Sequence, residues 1–93
     1  MVFIRRLLWD LWSVSHIAQH GVTVDDVEEV CARSPLEYET YGGRLRLVGR
    51  NAAGNLLTVI IAPTQEAGVY YTVTARPAAK KERRLYREAK DES

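Results

Sequence analysis

One cysteine, Cys31, is the entire thiol content of this 93-residue sequence. It has no partner within the chain, so neither a disulfide framework nor a multi-cysteine zinc site can be built, and a reducing compartment is expected. No apolar run approaches the ~18 residues a helix needs to cross a bilayer. The stretch from Met1 to Leu8 carries Arg5 and Arg6 in its middle, not the basic-then-apolar order and small-residue cleavage site of a secretory signal. A cytoplasmic protein without a membrane partner is therefore expected. A Gly-rich phosphate loop, a Walker lysine and a G-x-S-x-G elbow are also missing, which sets aside nucleotide hydrolysis and serine hydrolase chemistry. There are no internal repeats and no low-complexity segments.

What is present is the balance of an ordinary globule: 46% hydrophobic and 27% charged residues, in a chain near the smallest size that folds around one core. A single domain over 1–93 is expected. The net charge of +1 conceals a division. Between Asp25 and Glu39 there are six acids against Arg33 alone, and between Arg76 and Lys90 seven bases against Glu82 and Glu88. Such separation gives one face a positive potential in a nearly neutral molecule, or amounts to two solvated helix faces of opposite sign.

The hydrophobic period changes along the chain. Phe3 to Trp9 is apolar enough for a first strand. Asp10 suits a helix N-cap, with a helix running to about His20 and Gly21 ending it. Thr23 with Asp26 three residues on approximates a capping box, and Val22 can staple onto Val27. Val24, Val27, Val30 and Cys31 then give one apolar stripe, which makes a buried, inert thiol the expected role of Cys31. Ser34-Pro35 stops this second helix. Alternation follows through 36–41, a Gly42-Gly43 turn, and 44–48. A turn over 51–55 leads to the apolar run 56–62, expected to be the central strand covered on both sides, and Pro63 ends it. A turn over 64–68 precedes a β-branched and aromatic run over 69–76. Pro77 fits the first position of a last helix, with Ala78, Leu85 and Ala89 toward the sheet and 91–93 frayed. The class is α+β: an antiparallel meander sheet with two N-terminal helices and one C-terminal helix.

Chemistry is offered in three places. Trp12, His16 and His20 stand four apart and form one row on a helix. Two imidazoles can supply a general base and a general acid near neutral pH, or one can pack near the helix end while the other meets solvent. As a chelating pair they lack a third ligand, and Ile17 occupies the place a zincin fills with glutamate, so neither a metal nor a cofactor is expected. Arg44, Arg46 and Arg50 recur at even spacing on one strand and Arg76 closes another. Their guanidiniums match phosphate oxygens, and a solvated strand face is the plainer alternative. Lys80, Lys81, Arg83, Arg84 and Arg87 make the last helix a candidate for holding a polyanion, with Tyr86 either stacking on a base or anchoring the helix.

Trp9-Asp10, a helix ending Gln19-His20-Gly21-Val22, and the run from Asp25 to Val30 resemble the opening of the BrnT-type toxin family. Thr74-Ala75-Arg76 with Glu82-Arg83 and Tyr86 is similar to that family's closing motif, and Gly49-Arg50 through Gly54 to its strand-turn segment. The likeness spans nearly the whole chain. It implies a RelE-like fold, metal-independent RNA cleavage that stops translation as the toxin of a type II toxin–antitoxin system, and a cognate antitoxin, a DNA-binding ribbon-helix-helix protein. On this reading His16, His20, Arg76 and Arg50 carry the chemistry, and Arg44, Arg46 and the last helix hold RNA. The alternative is a non-catalytic protein- or RNA-binding module of the same fold.

Overall fold

A computed structural model describes residues 3–90. Its order is β1 (Arg6–Leu8), α1 (Leu11–Ala18), α2 (Val24–Ala32), β2 (Leu36–Glu39), a 3-10 turn (Tyr41–Gly43), β3 (Leu45–Arg50), β4 (Leu56–Pro63), β5 (Val69–Pro77) and α3 (Lys80–Ala89). The expected fraying of 91–93 lies outside the described residues.

Both N-terminal helices begin on reciprocal side-chain caps, which satisfy backbone N–H groups the first turn leaves open. The Ser13 N–H donates to Asp10 Oδ1 at 2.8 Å and the Asp10 N–H to Ser13 Oγ at 3.0 Å. Asp26 and Thr23 repeat the exchange at 3.1 and 3.0 Å. Helix α1 stops at Ala18, two residues short of the expected His20. Gly21, at φ +74°, turns the chain so that Val22 and Val27 enter the same core.

The five strands lie in the order β1-β5-β4-β3-β2. Strands β2 to β5 form the expected antiparallel meander, but β1 pairs parallel to β5, with Arg6 opposite Val69. The sheet is therefore mixed. The three-residue strand is all that the segment holding Arg5 and Arg6 contributes. Strand β4 is central, as its apolar run requires.

Alternation sorts the side chains onto two faces. Leu47, Leu57, Val59, Ile61 and Ala75 point to the side covered by α1 and α2, where Ile17, Val27 and Val30 complete the main core. Gly49 belongs to that side too, and a Cβ there would stand 3.0 Å from the Pro35 Cβ, so the missing side chain lets the end of α2 seat. Arg46, Val48, Arg50, Leu56, Thr58 and Arg76 occupy the other side, where α3 packs with Ala78 and Tyr86 around Val48. The molecule has three layers, and α3 lies across the sheet from the histidine helix.

Two expectations about α3 are corrected. Pro77 does not open the helix. It is the last residue of β5, and the Ala78 N–H continues the ladder to the Leu56 carbonyl at 3.0 Å, so the helix begins at Lys80. The residues it buries are Glu82 and Tyr86, with Leu85 half-buried and Ala89 exposed, because Glu82 finds partners on the sheet that offset its desolvation.

Candidate active site

At the end of the sheet, the α1–α2 link, the β3–β4 turn, the close of β5 and the start of α3 surround a cleft of about 520 Å³. His20 lines it from one layer and Arg83 from the other, with Asp26, Asn51, Asn55 and Pro77 between. The β3–β4 turn is tied down on α2. Asn51 Nδ2 donates to Asp26 Oδ1 at 3.1 Å, Asn51 Oδ1 accepts the Asn55 N–H at 2.9 Å, and the Ala52 N–H donates to Glu29 at 2.9 Å. The hydrogen bond from the Thr23 N–H, helped by Asn51, holds the Asp26 carboxyl below the usual range. These groups fix the floor and leave His20 and Arg83 exposed on either side.

The predicted row along α1 exists. The Trp12 and His16 rings stack with centroids 4.6 Å apart, and His16 meets His20 edge-on at 5.6 Å. His16 is thus sandwiched, and His20 alone of the pair reaches the cleft.

On the α3 side of the sheet the arginines converge on one carboxylate. Arg76 clasps Glu82 with two bonds, Nη1 to Oε1 at 2.8 Å and Nη2 to Oε2 at 2.9 Å. Arg46 Nη1 reaches Oε2 at 3.2 Å, Thr58 Oγ1 donates to Oε1 at 2.9 Å, and the Ala79 N–H caps onto Oε1 at 2.8 Å. The carboxylate is 5% exposed. Burial alone would raise its pKa, but the bonds from Arg76, the Ala79 N–H and Thr58 outweigh that and bring it to about 2. The same contact with Glu82 holds Arg76 still more firmly protonated. The Arg46 guanidinium also lies 5.7 Å from the Tyr38 ring centre.

The remaining candidates divide. Arg50 sits over the Tyr86 ring at 5.6 Å and donates to the Gly54 carbonyl at 2.8 Å. Tyr86, expected either to stack on a base or to anchor the helix, is buried beside Val48 and Ala78. Arg44 lies in the turn before β3 and is exposed. Lys80, Lys81, Arg83, Arg84 and Arg87, with Glu88 the one acid among them, line a shallow, mainly basic trough along the outside of α3. Arg83 belongs to both trough and cleft. Burial, with the Glu28 charge adding to it, pushes the Cys31 thiol up to about 12, as an inert cysteine requires. Among the described residues no three His, Cys, Asp or Glu side chains gather as a metal site would need, and no helix is long and apolar enough to cross a membrane.

Sequence reasoning passed over Glu82 and Asn51 as site residues. A signal for Glu82 exists in hindsight: it is the third residue of a helix whose N-cap, Ala79, has no capping oxygen of its own.

No family model matches the chain, and no curated protein matches it. Among solved structures it is similar to the crystal structure of the Brucella abortus ribonuclease toxin BrnT, with a TM-score of 0.65 and 23% identity over 81% of this chain and 97% of that one. The chain has the BrnT fold. The resemblance drawn from the two end motifs thus extends to the arrangement of helices and sheet. In this BrnT fold the segments carrying those motifs, around His20 and from Arg76 to Tyr86, meet at the cleft, where Pro77 and Arg83 stand with His20.

Proposed function

We propose that the chain is a ribonuclease toxin of a type II toxin–antitoxin pair that cleaves RNA in the cytoplasm without a metal and so inhibits translation. The observation that carries this reading is Arg83, which lines both the basic trough on α3 and the cleft that holds His20. A strand of RNA lying along the trough would bring a phosphate to a guanidinium with an imidazole on the opposite wall.

His20 takes the proton from a ribose 2′-hydroxyl, whose oxygen then bonds to the adjacent phosphorus while the bond to the 5′-oxygen breaks. The departing 5′-oxygen takes a proton from solvent water and His20 returns its own to solvent, leaving a 2′,3′-cyclic phosphate and a 5′-hydroxyl. Charge gathers on the non-bridging oxygens during this step. Arg83 meets it directly, and Arg76, Arg46 and Arg50 add positive potential from the α3 side of the sheet. His16, in edge-on ring contact with His20, is the second imidazole of this reading.

The antitoxin partner, read as a ribbon-helix-helix protein, has a surface available on α1, where Leu11 and Trp12 are 87% and 57% exposed. That patch is also what favours the second reading, a non-catalytic binding module.

Purified protein incubated with single-stranded RNA in excess chelator separates the two. Cyclic phosphate ends, lost in His20→Ala and Arg83→Ala, are expected for the nuclease. Intact RNA with the wild-type protein, or cleavage undiminished by both substitutions, sinks it.

A further inference from the structure

The mechanism above leaves unused a side chain that accepts five hydrogen bonds, Glu82. Glu82 is buried, yet it sits within a run of exposed bases, and it binds two guanidiniums that arrive from different strands, Arg46 on β3 and Arg76 on β5. Those two side chains are buried only in part, although the Arg46 Nε is itself covered. The Arg76 and Arg46 side chains keep 33% and 28% of their surface. They reach the same carboxylate from either side of β4, Arg76 with two nitrogens and Arg46 with Nη1 alone.

We infer that Glu82 is a positioning residue: it sets the Arg76 and Arg46 guanidiniums in one fixed arrangement that receives a phosphate of bound RNA. Three observations carry this. The Arg76 contact is bidentate, which fixes the plane of the guanidinium as well as its place. The carboxylate is itself fixed by two groups that do not belong to the arginines, the Thr58 hydroxyl and the Ala79 N–H. One carboxylate between two guanidiniums also leaves the three side chains with a net positive charge, which attracts an anion where a one-to-one pair would not. Long side chains held in their bound geometry lose less freedom when the ligand arrives.

The inference rests on the ribonuclease reading only for the identity of the polyanion. Its sign separates it from a plain charge effect. Removing a negative charge beside an RNA-binding surface should by electrostatics alone tighten binding. Loss of positioning weakens it.

The test is binding of a 2′-O-methyl RNA oligonucleotide, whose blocked 2′ position cannot attack, to the wild-type protein and to Glu82→Gln. Glu82→Gln is expected to bind about tenfold more weakly despite its extra positive charge, with a shallower dependence on salt because a phosphate contact is lost. Equal or tighter binding overturns the inference, as does a wild-type protein that does not bind the oligonucleotide. Should Glu82→Gln melt below the assay temperature, Glu82→Asp keeps the charge but is too short to hold both arginines and the Ala79 N–H together. It too is expected to bind more weakly, and unchanged affinity there overturns the idea. A wild-type protein that binds with this pattern but leaves unmodified RNA intact refutes the nuclease reading alone. Cleavage by the wild type with tighter binding by Glu82→Gln refutes the positioning role alone.

Discussion

The burial of Glu82 makes its neighbours unequal in ways their exposed, basic surroundings conceal. Arg76→Ala would strip two of the five donors from a carboxylate that is 5% exposed, and a buried charge deprived of its partner typically costs about 3–5 kcal/mol. Arg46, Thr58 and the Ala79 N–H remain to limit the loss, so a fall of about 2–3 kcal/mol is expected in urea unfolding. Arg83→Ala removes an exposed side chain and should stay within about 0.5 kcal/mol of the wild type. Equal stabilities for the two variants would contradict the role given to Glu82. The contrast also marks how far single residues are legible in the sequence. Even spacing put Arg46 and Arg50 on one strand face, and both contact α3. Four-residue spacing put Trp12, His16 and His20 in one row. Glu82 was not legible because a carboxylate flanked by lysines and arginines reads as helix surface. Its partner Arg46 is 36 residues away, and only the fold brings them together.

Elements were legible where their signals are local and not where a distant partner decides. The caps of α1 and α2 are bonds between residues three apart, and both form as the residue types require. Asp10 also ties its helix to the sheet, since the Tyr71 hydroxyl donates to it at 3.1 and 3.2 Å. Burial and the neighbouring Asp10 carboxylate hold the Tyr71 phenol above its usual range, while the Ser13 N–H holds Asp10 below its own. Asp10→Ala is expected to lower stability through the lost cap and to raise amide exchange in the first turn of α1. Gly49→Ala tests packing instead. The new methyl would press on Pro35 and on Val30 Cγ1, 3.3 Å away, and overpacking of this kind costs about 1–3 kcal/mol. An unchanged melting temperature would mean that α2 shifts freely on the sheet. The parallel pairing of β1 and the slip in register between Ile60 and Ile61 carry no local signature, because each is a choice of partner and not of conformation. Pro77 satisfied the rules for a helix start and for a strand end alike, and the bond from Ala78 to Leu56 decided between them.

At the scale of the whole molecule, the layering places the acidic helix α2 on one side of the sheet and the basic helix α3 on the other, with the cleft where the layers meet. Helix α3 meets the sheet mainly at β3, and Glu82 is a polar tie that joins this helix to three strands at once, through Arg46, Thr58 and Arg76. Acid should therefore loosen this layer. In the folded protein the Glu82 pKa lies at about 2, below its ordinary 4.5. A depressed carboxyl pKa contributes stability that is present above the unfolded value and is lost as pH falls from there through the folded value. The two values correspond to roughly 3 kcal/mol. Asp10 and Asp26 are shifted in the same direction and add to the slope. Wild-type stability measured by urea unfolding should fall steadily between pH 5 and 2 (about the interval between the two pKa values), and Glu82→Gln, though less stable at neutral pH, should show a distinctly flatter decline. Parallel declines for the two proteins would mean that the acid sensitivity comes from the caps of α1 and α2. The tie between α3 and the sheet would then contribute little to holding the basic face against the cleft.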